Sequence, residues 1–173
     1  MALSLYDISV APFTQTLGAV AGFLKKGAEH CQANGISLDD VVATRLYPDM
    51  SPFRFQVISV AHHTMGALRG VQAGEFAPPS GGAELDYAGL QALIEEAKSY
   101  VASLSRESVN AMLGKDVTFK LGANSMPFVA EGFLMSFSLP NMHFHATTAY
   151  DILRMKGVPV GKRDYIGRPQ LKG

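Results

Sequence analysis

Apolar residues Phe13, Leu17, Val20, Leu24, Ala28 and Cys31 recur at steps of four and three, the spacing that lines one face of an α-helix. Asn34-Gly35 closes this stripe with a C-cap glycine. At its start, Ser4 with Asp7 three residues on resembles a capping box, while Pro12 occupies an interior helix position. The helix therefore either begins near Pro12 or begins near Ser4 and kinks. A short helical turn is expected from Ser37, and Tyr47-Pro48-Asp49-Met50 reads as a loop. Ser51 and Pro52 then predict a second long helix, capped by Ser51 with Pro52 at its first position and running to about Gly70. Gly74 to Gly82 reads as a loop. Leu90, Leu93, Ile94, Ala97, Val101 and Leu104 mark a third helix.

Val117–Leu121 and Met126–Val129 alternate weakly about Gly122-Ala123-Asn124-Ser125, the pattern of a small β-hairpin. A fourth helix is expected from about Glu131 to Lys156, ended by Gly157 and Pro159 and interrupted by Pro140. Four long helices with short connections predict a mostly α fold: one domain over 1–173, a four-helix bundle with a small hairpin between helices 3 and 4. Its core is expected over about 1–157, with 158–173 an extended C-terminal tail.

Composition narrows the partners. The 15 basic and 15 acidic residues cancel, and neither sign forms a block, which argues against nucleic acid or an anionic membrane. No apolar run approaches the roughly 20 residues that span a bilayer, and the N-terminus has no signal-peptide pattern. With one cysteine, Cys31, no intramolecular disulfide is available, so the expected compartment is the cytoplasm. A hydrophobic content of 47% against 17% charged residues leaves an apolar surface suited to self-association. On the second helix, Phe55 and Ile58 lie outside the stripe of Phe53, Val57, Ala61 and Leu68, and that surplus predicts a homodimer.

The candidate chemistry lies in the fourth helix. Asn141 and His145 are four residues apart, so they share a helix face, and inward polar pairs are how bundles build ligand and metal sites. His143 points roughly the other way. On the second helix, His62 and His63 flank the apolar stripe on opposite sides, and periodicity does not choose between them. One of these with His145 and Asn141 would suit zinc, nickel, copper or iron, although an amide is a weak third donor. The plainer reading is that Asn141 satisfies the carbonyl freed by Pro140 and that the histidines flank the core. No HExxH, CxxC, phosphate-binding glycine loop or GxSxG is present.

Four blocks, LSLYDISV (3–10), RLYPDMSP (45–52), QVISVAHHTMGA (56–67) and LPNMHFHATTAYDILRMKGVPVGKRDYIG (139–167), resemble an uncharacterised bacterial domain family of the DinB/YfiT-like four-helix-bundle superfamily. The resemblance implies a metal site with one histidine from the second helix and an HxxxH pair from the fourth. Here those positions are His63, Asn141 and His145, and the pair reads NxxxH. A divalent metal, zinc or nickel, is accordingly expected at low occupancy. Relatives imply a thiol-dependent transferase using a low-molecular-weight thiol, or a hydrolase; the competing expectation is a non-catalytic dimeric binding or structural protein with a vestigial His–Asn site. Dimers among such relatives add to the homodimer expectation.

Overall fold

The computed structural model describes residues 3–169 and 171. The Ser4 hydroxyl accepts from Asp7 N–H and the Asp7 carboxylate accepts from Ser4 N–H, so the first helix, α1 (Leu5–Asn34), starts at the capping box and carries Pro12 inside it. That decides between the two starts left open by the sequence. Gly35, at φ 65°, ends the helix in the left-handed region that glycine alone enters without strain. A short helix α2 (Leu38–Ala43) follows, capped by Ser37.

The second long helix consists of α3 (Phe53–Ala61), a π-helical turn at His62–Gly66 and α4 (Ala67–Ala73). It begins at Phe53 with Pro52 as its N-cap and no side-chain capping bond, so Ser51 does not cap it as expected. Helices α5 (Tyr87–Ser103) and α6 (Arg106–Asn110) come next. The expected hairpin is present as β2 (Asp116–Leu121) and β3 (Asn124–Val129), turning through Gly122-Ala123. A two-residue strand β1 (Glu75–Phe76), in a stretch whose composition reads as loop, pairs parallel with β2. Pro127 lies on the outer strand of the order β1-β2-β3, where its missing N–H costs no ladder bond.

The fourth long helix joins α7 (Ala130–Gly132), a π-helical segment at Phe133–Ser138 and α8 (Leu139–Met155). The irregularity expected at Pro140 is thus a π segment that precedes it. α3 packs on α8 and α5, and α1 packs on the same two helices, which closes a four-helix ring. Phe13, Phe23, Phe53, Leu68, Ile94, Phe133 and Met142 fill its centre with almost no exposure. No helix among the described residues is long and apolar enough to cross a membrane.

The tail is not extended as expected. Lys162–Ile166 forms α9, packed on α1. The Asp164 carboxylate accepts from the Gly161 N–H that starts this helix and pairs with Lys26 at 2.6 Å, and Gln15 donates to the Ile166 carbonyl. Basic composition alone does not reveal this local capping. Residues 170, 172 and 173 of the expected tail lie outside the described residues, as do Met1 and Ala2.

Close approach between α1 and α5 depends on Gly27. The buried Tyr87 hydroxyl donates to the Leu24 carbonyl, and a Cβ at Gly27 would collide with that hydroxyl and come within 3.2 Å of Leu153. Gly22, by contrast, faces open space. Gly27→Ala is therefore expected to destabilise the protein by about 2 kcal/mol or more through overpacking and disturbance of the Tyr87 bond. Gly22→Ala should stabilise it by about 0.5–1 kcal/mol through helix propensity. Urea unfolding of the two variants checks both signs.

Candidate metal centre

The second and fourth long helices run antiparallel, and two polar cross-links set their register. At one end His145 Nδ1 lies 2.7 Å from Gln56 Oε1. The Gln56 amide is oriented by its Nε2, which donates to the Ser51 carbonyl at 2.8 Å. The oxygen facing His145 can only accept, so Nδ1 carries the proton and Nε2 keeps its lone pair. At the other end the Ser138 hydroxyl donates to the His63 backbone carbonyl at 2.9 Å. With its hydrogen committed there, Ser138 Oγ acts as acceptor towards His63 Nδ1, at a long 3.5 Å. His63 is thus also left with a free Nε2.

The second cross-link joins two π-helical turns, since His63 and Ser138 each belong to one. A π turn holds one more residue than an α turn and so rotates the face presented by the next stretch of helix. The two imidazoles lie near parallel, at 13°, with ring centres 5.9 Å apart. Phe76 and Phe137 pack on His63, and Phe55 and Phe144 pack edge-on to His145. His63 is buried under its rings, whereas His145 is half-buried beside the exposed Phe55 and Phe144. Burial drives the His63 pKa down to about 3, helped by the nearby His62 and His145, and drives that of His145 down to about 4. At neutral pH both rings are uncharged, which is the protonation state of a metal ligand.

Asn141 behaves differently. Its Nδ2 donates to the Phe137 carbonyl at 2.7 Å, which leaves Oδ1 as its remaining acceptor; no hydrogen bond joins it to either imidazole among the described residues. The carbonyl it satisfies is that of Phe137 and not the one freed by Pro140, which belongs to Ser136. Ser59, three residues after Gln56 and four before His63, shares their helix face. Its hydroxyl is buried without a hydrogen-bond partner, and such an orphan marks a place where a polar occupant would be stabilised.

Gln56, Ser59 and His63 on one helix and Ser138, Asn141 and His145 on the other therefore form a polar seam, buried at Gln56, Ser59, His63 and Ser138 and half-buried at Asn141 and His145. Each set follows i, i+3, i+7 spacing: 56, 59, 63 and 138, 141, 145. That repeat of polar residues on a helix face is the sequence signal that would have added Gln56, Ser59 and Ser138 to the candidate residues. Of the expected ligands, the fold brings His63 and His145 together and keeps Asn141 on the same turn as His145. His143 lies apart, exposed beside Tyr165. His62 borders His63, with ring centres 5.5 Å apart, but its Nε2 reaches the Ala77 carbonyl on the other flank. The donor set fits a metal incompletely: two neutral nitrogens and one amide oxygen, with no group of three or more His, Cys, Asp or Glu suited to an ion among the described residues.

Residues 5–166 match the family described as Domain of unknown function (DUF1993). The chain belongs to this family. A solved structure of a DinB family member protein from Shewanella denitrificans superposes with a TM-score of 0.80 at 24% identity, covering 98% of this chain and 95% of that one. At that identity the match establishes the DinB-like fold. No curated protein matches the chain.

The lowered histidine pKa values predict a specific pH dependence. Unfolded histidines titrate near 6.5, whereas His63 and His145 resist protonation until about 3 and about 4 when folded. The stability they protect is complete above the unfolded value and is lost as pH falls towards the folded ones. The melting temperature should therefore drop between about pH 6.5 and 4.5, above the range where carboxylates contribute. In His63→Gln or His145→Gln the slope should be shallower by up to about one proton. An unchanged slope in both variants would contradict the assignment.

Proposed function

We propose that this DUF1993 protein is a weak divalent-metal binder of thiol-dependent transferase or hydrolase type. In this reading His63 and His145 supply Nε2 donors to zinc or nickel, and Asn141 Oδ1 is a neutral third donor. The observation that carries it is the paired tautomer lock: Gln56 and Ser138 occupy both Nδ1 atoms, the outer-shell arrangement typical of metal-bound histidines. A divalent ion held there supplies Lewis acidity, lowering the pKa of a thiol or water so that its anion is available at neutral pH.

The chain's own residues then have defined tasks. Gln56 and Ser138 orient the imidazoles. Phe55, Phe76, Phe137 and Phe144 surround them with apolar rings, which strengthens any charge interaction inside. Ser59 offers its unpartnered hydroxyl to an oxygen or sulfur atom in the seam.

The second reading is a non-catalytic dimeric binding protein with a vestigial site, and the bond from Asn141 to the Phe137 carbonyl favours it. Titration with zinc and nickel separates the two. The metal reading expects weak binding that strengthens at least tenfold in Asn141→His and disappears in His145→Ala. Equal affinity in wild type and Asn141→His would favour the vestigial site.

The proposal extends to a homodimer in a cytoplasmic setting. Of the two surplus residues, Ile58 is half-buried, packed against the core and against Gly82. Phe55 remains exposed beside His145, as does Phe144 at 59% exposure, and a second copy would cover both. Light scattering at micromolar concentration is expected to give twice the chain mass. A monomer mass there would leave these rings to a ligand.

A further inference from the structure

The flank of the second long helix that faces away from the seam holds a cavity of about 660 Å³, bounded by that helix, by residues 77–85 and by Leu93 of α5. Its volume lies within the range of small-molecule sites. The segment over it is fastened at both ends: His62 Nε2 meets the Ala77 carbonyl at 2.7 Å, and Arg54 Nε donates to the Leu85 carbonyl at 2.7 Å. Between them Gly82, at φ 79°, lies directly over Ile58.

His62 is the informative group. A carbonyl only accepts, so the proton is on Nε2 and Nδ1 holds a lone pair. Nδ1 has no hydrogen-bond partner among the described residues. It lies beside Gly66, where a Cβ would sit 3.0 Å from Nδ1, and both His62 and Gly66 line the cavity. The ring itself is fixed by stacking on Phe76, at 4.3 Å between centres. Charged side chains at the rim are already engaged. Arg69 pairs with Glu96 at 3.4 Å and lies over the Tyr100 ring, and Glu75 pairs with Lys120. Glu84 is exposed at the edge. The inner lining is apolar, with Ile58, Met65, Leu85 and Leu93.

We propose that this cavity is a second binding site, for a small, mainly apolar molecule that presents one hydrogen-bond donor, an alcohol or phenol, to His62 Nδ1. None of His63, Asn141 and His145 lines this cavity, although His62 packs against His63 and Phe76 against both.

The test is an NMR titration of the full chain with phenol, toluene and benzylamine, following the amides of Ala61, Met65, Gly66 and Ala77. Phenol is expected to give saturable shifts at these positions. Toluene, the same size without the donor, should bind at least about fivefold more weakly, the value of one neutral hydrogen bond. His62→Phe retains a ring against Phe76 and should abolish that preference. Gly66→Ala places a methyl before Nδ1 at a helical position that favours alanine, and should weaken phenol at least about fivefold without unfolding the protein. Absent saturable shifts, equal binding of toluene, tighter binding of benzylamine through Glu84, or phenol binding unchanged in both variants would each overturn the proposal.

Discussion

The organisation of this protein depends on the antiparallel clasp between its second and fourth long helices. Gln56 holds His145 at one end, and Ser138 holds the His63 carbonyl at the other. Polar groups in a helical core are tolerated only when they are satisfied, and here the satisfying bonds run between helices and not to solvent. The same bonds fix which imidazole nitrogen carries the proton. Packing register and chemical state are therefore set by one set of contacts.

The π-helical turns make the clasp possible. His62 and His63 are consecutive, yet one serves the outer cavity and the other the inner seam, with Phe76 packed against both rings. On the fourth helix the π segment ends at Ser138, which brings Ser138, Asn141 and His145 onto the seam face. Such turns cost some backbone regularity, and they persist here because Ser138 re-satisfies the carbonyl of His63. The one loose end is Ser59, buried and unpartnered at the middle of the seam.

Much of this is legible in the chain. The four long helices, the hairpin and its turn follow from apolar period and turn residues, and the DinB-like resemblance anticipates the family and the pairing of His63 with His145. Periodicity cannot assign His62 and His63, because a 3.6-residue repeat does not describe a helix that contains a π turn. The strand at Glu75–Phe76 is invisible because two residues carry no alternation, and its partner β2 is about 40 residues away in the chain. Helix α9 hides in a basic, glycine-containing tail because its stabilising contacts, Asp164 to Gly161 and to Lys26, are one local cap and one distant ion pair. Gln56 and Ser138 do not stand out because each is an ordinary polar residue until its partner helix is placed.

The chemistry of the seam turns on the protonation state of two rings. Long-range proton–nitrogen correlation spectra at pH 7 read that state directly in the unmodified protein. His63 and His145 are both expected as neutral Nδ1–H tautomers, with Nε2 showing the shift of a bare lone pair. Protonated rings, or Nε2–H tautomers at both positions, would contradict this assignment.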